Sequence, residues 1–176
     1  MISSRAEALA RFMSDCSRLA KMPEPSLSSV EIATCVRRVA ELETRLPVRV
    51  VDGPEVVVAA DQDQIEQVLI NLVRNAVEAS LGTGGGVDIE WRAMDDRVEV
   101  VVRDDGPGLP ESANLFVPFF STKPEGSGIG LFLCRQIAEA HGGSVTVEDR
   151  ADGAGCEACL ALPRDPGRHH SAPPAP

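Results

Sequence analysis

Gln67, Asn71, Asn75 and Glu78 are spaced by four, four and three residues, so on a helix their side chains share one stripe. Asparagine is a poor helix former, and two on one stripe need a reason beyond propensity. A solvated face is one reason. The other is chemistry, because amide oxygens are hard donors that suit a hydrated Mg²⁺, which keeps several of its waters. Arg74, on the same helix, is as readily a solvated cation as a phosphate contact. Farther along, Asp104 closes an apolar strand pattern and precedes Gly106-Pro107-Gly108. An ionised carboxylate only accepts hydrogen bonds, so it fits the exocyclic amine of adenine and rejects the carbonyl of guanine. A plain Asp-Gly turn is the alternative. Gly126-Ser127-Gly128-Ile129-Gly130-Leu131 then opens a helical pattern, where backbone N–H groups and the positive helix end converge into an anion site. A dinucleotide-binding loop would follow a strand directly; here Lys123-Pro124-Glu125 comes first and the second half of a βαβ unit is missing.

These residues need elements to position them. Asp61-x-x-Gln64 has the form of a cap that starts the central helix, worth about 1 kcal/mol. Ile65, Val68, Leu69, Leu72, Val73 and Ala76 form its core face, and the glycines around 82 to 86 end it. Val87 to Ala93 and Val98 to Arg103 alternate as two antiparallel strands joined through Asp95 and Asp96. A helix of about Leu131 to Ala140 follows, stopped by His141-Gly142-Gly143, and Ser144 to Glu148 and Cys156 to Leu162 complete a sheet. Upstream, Leu9, Phe12, Met13, Cys16, Leu19 and Ala20 recur at helical spacing between Ser3 and Lys21, a stripe that needs a partner helix. Ser28-x-x-Glu31 reads as a capping box opening a helix to about Thr44, closed by Pro47. Val48 to Val51 and Glu55 to Ala59 read as strands turned by Asp52-Gly53-Pro54, and Arg164 to Pro176 as a disordered tail. With strands paired as hairpins, the expected fold is an α/β two-layer sandwich: a mixed, largely antiparallel sheet with helices on one face.

In chain order, Asn71-Leu72-Val73-Arg74-Asn75-Ala76, Asp104 to Gly108, Phe116 to Pro124 and Gly126 to Leu131 resemble the N, G1, F and G2 boxes of the ATP-binding domain of bacterial sensor histidine kinases. Gyrase B, the mismatch-repair protein MutL and the ninety-kilodalton heat-shock chaperone belong to the same larger group. The resemblance covers roughly Pro25 to Pro163, and the wording of Ala10 to Met13 and Leu19 to Pro23, together with Asn71 to Ala76, is closest to the nitrogen-regulation kinases of the NtrB and NtrY type. It implies a Bergerat-type fold that binds ATP and Mg²⁺. Residues 1–25 would be a remnant of the second helix of a dimerisation hairpin, 26–163 the catalytic domain and 164–176 a tail. It places the metal on Asn75, with Asn71 one turn before it, and the base at Asp104, Gly106 and Gly108. Arg74, Lys123, Gly126, Ser127, Gly128, Ile129, Gly130 and Leu131 would surround the triphosphate, under a lid of about Pro110 to Ser127 anchored by Phe116, Phe119 and Phe120.

Relatives in this group that hydrolyse ATP carry a glutamate where Asn71 stands. An amide cannot usefully take a proton from water, so the catalytic expectation is Asn71 and Lys123 holding ATP for another acceptor. In histidine kinases that acceptor is an imidazole on the dimerisation domain. The phosphoacceptor box itself is absent: the histidines are His141, His169 and His170, none in that setting. The expectation is therefore a catalytic domain that donates the γ-phosphate of Mg·ATP to a histidine on a separate or missing dimerisation domain, without phosphorylating itself. Its partners would be that domain and a response regulator, with residues 3–21 available for a homodimer and a cytoplasmic location, whether or not the parent is membrane-anchored. An ATPase or serine kinase of the same group, and a degenerate interaction module docking through residues 3–21, are the alternatives.

Composition bounds these readings. A net charge of −10 repels a phosphate backbone and argues against nucleic acid, so any phosphate site here rests on local devices. Aromatics are 3% of the chain and tyrosine is absent, so aliphatic residues must fill the core. No apolar run is long enough to span a bilayer, and Met1 to Arg18 lacks the pattern of a signal peptide. Five scattered cysteines read as reduced thiols, and Cys156 and Cys159, three apart on a strand, as ordinary residues pointing to opposite faces.

Overall fold

The computed structural model describes residues 23–109, 115–118 and 128–164; the expected Ser3–Lys21 helix, most of the lid and the tail after Arg164 lie outside them. Seven strands and three helices are described: β1 (Ser28–Glu31), α1 (Ile32–Leu42), β2 (Val48–Val51), β3 (Val57–Ala60), α2 (Gln62–Leu81), β4 (Val87–Ala93), β5 (Arg97–Asp104), α3 (Gly130–Ala140), β6 (Ser144–Asp149) and β7 (Cys156–Pro163). The main sheet has the order β2-β4-β5-β7-β6, parallel only between β2 and β4. It is a mixed, largely antiparallel sheet, as expected.

One face of it is apolar because the strands alternate. Val87, Ile89 and Trp91 of β4 and Val98, Val100 and Val102 of β5 are buried, as are Leu160 and Leu162 of β7. Registers Ile89↔Val102, Trp91↔Val100 and Val100↔Leu160 put them on the same side. Against that side pack Ile32, Val36 and Val39 of α1, Ile65, Leu69 and Leu72 of α2, and Cys134 and Ile137 of α3. The α2 face comes out as its periodicity requires: Ile65, Val68, Leu69, Leu72, Val73 and Ala76 are all buried. On the opposite face of the sheet Arg103 bonds to Glu90 (2.9 Å) and Glu157 (2.6 Å), tying β4, β5 and β7 together.

Two local expectations need correction. Ser28 to Glu31 do not form a capping box. They form β1, antiparallel to β3 from Ser28↔Ala60 to Glu31↔Val57, and Glu31 precedes α1 without a side-chain cap bond. Burial of Val30 and Val58 between the pair outweighs a cap worth about 1 kcal/mol. Nor does Asp52-Gly53-Pro54 join a hairpin. β2 runs parallel to β4, whereas β3 belongs to the small sheet with β1.

The segment acts as a clamp on β4 instead: Trp91 Nε1 donates to Pro54 O at 2.7 Å, and a Cβ on Gly53 would stand 2.1 Å from Trp91 O. Gly53→Ala should therefore destabilise the domain by about 1–3 kcal/mol, as overpacking against fixed backbone does. Thermal melting checks this, and an unchanged melting temperature would show that the segment moves aside freely.

Candidate functional site

Asp104 ends β5 and is 6% exposed. Its Oδ1 accepts from the backbone N–H of Gly106 at 2.9 Å and of Cys156 at 3.2 Å, while no described group bonds Oδ2. Burial raises its pKa above the ordinary carboxylate value, against the pull of those two donors and Arg150. The carboxylate is thus fixed in direction, short of stabilising partners, and has an acceptor oxygen to spare.

The loop that follows is gripped from two sides. From the C-terminal end of α2, Ser80, fully buried, accepts from Asp105 N–H at 3.2 Å and donates to Gly86 O at 2.8 Å. Thr83 Oγ1 donates to Asp105 O at 2.8 Å. From the β6–β7 connection, Arg150 donates to Asp104 O (3.2 Å) and Asp105 Oδ1 (2.6 Å), and Asp149 Oδ1 accepts from Leu109 N–H at 2.7 Å, next to Gly108. Gly155 has φ +110°, and a Cβ there would stand 1.9 Å from Asp104 O. The sequence motifs did not include Ser80, Asp149, Arg150 or Gly155. The Gly153-Ala154-Gly155 run before β7 was the available signal for the last.

Asn71 and Asn75 lie half-buried on one stripe of α2. α3 begins beside them: a Cβ on Gly130 would come 3.8 Å from Asn71 Oδ1. Asn71 is also a hydrogen-bond partner of Cys134, whose thiol burial pushes up to about 12. Gly128 has φ +67°, buried Ile129 is the residue before α3, and Leu131 packs on the core. The start of α3 therefore faces the asparagine stripe. Phe116 packs on the core beneath Arg135, whose guanidinium carbon is 5.8 Å from the ring centroid. Lys123, Gly126, Ser127, Phe119 and Phe120 lie outside the described residues.

Arg74 is not brought to this group. It is exposed and lines a crevice of about 230 Å³ with Val39, Leu42, Glu43, Ile70 and Val73, on the side of α2 that faces α1. Cys156 and Cys159 sit on opposite faces of β7, both half-buried free thiols raised to about 11, chiefly by burial. Among the described residues no group of three or more His, Cys, Asp or Glu could hold a metal ion. Amide donors at Asn71 and Asn75 nonetheless suit a Mg²⁺ that keeps its waters and takes phosphate oxygens.

Residues 60–166 match the family described as histidine kinase-, DNA gyrase B- and HSP90-like ATPase. The chain belongs to this family. The ATPase-family domain is 46% identical over 101 residues to the C4-dicarboxylate transport sensor protein DctS of Rhodobacter capsulatus, covering 54% of this chain and 15% of DctS. The chain thus spans a small part of that relative. It is similar to the solved catalytic domain of histidine kinase ThkA, with 33% identity, TM-score 0.71, and 81% of this chain and 98% of that one covered. ThkA in complex with response regulator protein TrrA gives 28% identity and TM-score 0.76, over 93% of this chain and 50% of that one. Full-length ShkA in complex with AMPPNP gives 30% identity and TM-score 0.75, over 93% and 37%. The domain is an ATP-binding catalytic domain of the sensor histidine kinase type. No described helix is long and apolar enough to cross a membrane.

Proposed function

We propose that this domain holds Mg·ATP in the gap bounded by α2, the Asp104–Gly108 loop and the start of α3, and that the γ-phosphoryl group passes to a histidine on a separate dimerisation domain. The observation that carries this is the meeting of Asn71, midway along α2, with Gly130, while the Asp104 loop is held at the C-terminal end of the same helix. A base-reading acceptor and a phosphate-facing helix start are thereby set about two and a half turns apart along one element.

Each group then has a task. Asp104 Oδ2 accepts from the adenine amine, and its buried setting selects against a carbonyl at that position. The N–H groups around Gly128 to Gly130 and the positive end of α3 take the phosphates, with Lys123 adding a charge near the γ-phosphate. Asn75 would hold Mg²⁺, with Asn71 beside it; when bound, the ion neutralises charge on the β- and γ-phosphate oxygens. Asn71 orients rather than abstracts, because an amide is no base for water. Arg74 faces the crevice at α1 and stands outside this set. The similarity to ShkA bound to AMPPNP supports the nucleotide, and the similarity to ThkA bound to TrrA supports a response regulator as the downstream partner. A cytoplasmic location suits both.

Calorimetric titration with a non-hydrolysable ATP analogue tests the reading. Micromolar-range binding that requires Mg²⁺ is expected, followed by phosphate transfer from ATP to a supplied dimerisation domain. No binding at millimolar analogue would sink it.

A further inference from the structure

We infer that His141 is a positioning residue that sets the axial register of α3 on α2, and with it the gap between the Gly128–Gly130 turn and the Asn71 and Asn75 amides. The inference rests on the nucleotide reading of that gap. His141 directly follows α3 and is 5% exposed. Its Nδ1 lies 2.8 Å from Ile137 O, and its Nε2 lies 3.0 Å from the backbone nitrogen of Asp61. A carbonyl only accepts and a backbone N–H only donates, so these contacts together assign a neutral ring with its proton on Nδ1. Both nitrogens are committed. His141 thus offers no free nitrogen for phosphorylation.

Asp61 is the N-cap of α2, and its carboxylate accepts from Gln64 N–H at 3.1 Å and Ser26 N–H at 2.9 Å. In a complete capping box the side chain three residues on would return to the cap's own N–H. Here the Gln64 amide goes to Pro23 O at 3.2 Å, and the Asp61 N–H goes to His141. The box has been opened, and a second helix fastened into it.

The consequence lies along the helix pair. α3 runs antiparallel to α2: Gly130 stands beside Asn71, Cys134 Sγ points to Val68 O at 3.8 Å, and His141 closes on Asp61. The first contact is van der Waals, and the bonds of the Cys134 thiol to Val68 O and to Asn71 are weak sulfur bonds, so none of them defines an axial position sharply. His141 supplies the directional bond. α3 has 11 residues, a rod of about 16 Å. A stiff rod fixed at one end carries that constraint to the other, where the phosphates are held.

The full chain tests this. His141→Phe keeps a ring but no nitrogen, and should weaken binding of the Mg²⁺-bound ATP analogue roughly tenfold, the loss of about one hydrogen bond. His141→Gln, which offers both an acceptor and a donor, should recover most of that. Val58→Ala in the small sheet is the comparison, evaluated at equal loss of melting temperature. If His141→Phe loses no more affinity than this comparison, or His141→Gln recovers nothing, the inference is overturned. Should His141→Phe not fold, the wild-type chain decides. By reciprocity of coupling, saturation with the analogue should slow hydrogen exchange at the Asp61 amide, and unchanged exchange would overturn the register role. If the wild type binds no analogue, the nucleotide reading has failed. The register is then judged without ligand: Leu133 and Cys134 amides should exchange faster in His141→Phe than in His141→Gln, and equal rates would refute it.

Discussion

Asp104→Asn should weaken binding of Mg·ATP by roughly ten- to a hundredfold, since a hydrogen bond to a charged group is worth about 1.5–3 kcal/mol. The variant keeps an oxygen for the Gly106 and Cys156 N–H groups, so the loop geometry survives. What it loses is the second acceptor, replaced by an NH₂ group that meets another donor. Stability should move the other way. The carboxyl pKa is raised in the fold, so the ionised form costs stability once the pH rises through the folded pKa, and a neutral amide avoids that cost. Affinity in the wild type should fall as the pH drops through the same raised pKa, because a protonated carboxyl presents a donor where an acceptor is required. Asp104→Asn should show no such step. Titration across the acid range reads both effects, and wild-type affinity in the variant would remove Asp104 from the base site.

Gly155→Ala should cost about 3 kcal/mol, and for a domain of this size roughly 6–12 °C in Tm. Two faults coincide there: a φ of +110° that an L side chain rarely adopts, and a Cβ 1.9 Å from Asp104 O, which is backbone and cannot swing away. The chain would have to pull β7 away from the end of β5, taking the Cys156 N–H off Asp104. Nucleotide affinity should therefore drop along with stability, unlike in Gly53→Ala, whose clash lies at Trp91, four residues along β4 from Val87, the partner of Asp104. Melting and calorimetry of the two variants side by side check this. Full retention of both properties in Gly155→Ala would mean that the β6–β7 connection does not support the base site.

The parts of this domain that could be read from sequence are those whose cause is local. The core face of α2 follows from its own periodicity, and the strands β4 and β5 follow from alternation and a short connection. Their residues answer to neighbours three, four or two positions away. Ser28 to Glu31 carry a local capping pattern but meet a partner strand some thirty residues on, and pairing decides the matter. Arg74 adjoins Asn75 in sequence, but successive residues on a helix point about 100° apart, which turns Arg74 towards α1. Arg150 bonds to Asp105 across 45 positions and His141 bonds to Asp61 across 80, and no spacing rule reaches so far. Asp61 showed its capping bond in the sequence, yet nothing there announced that its N–H was reserved for another helix.

The length of α2 has one more meaning. Asn71 and Ser80 sit nine positions apart on a single unbroken helix, about 13.5 Å along its axis. In the proposed binding mode one residue adjoins the phosphates, and the other pins the loop that carries Asp104. The helix is thus a ruler cast in one piece. Neither end of the proposed cradle can be lengthened, shortened or turned without the other, so in that binding mode the measure of a whole nucleotide is stored in the pitch of a helix rather than in the shape of a pocket.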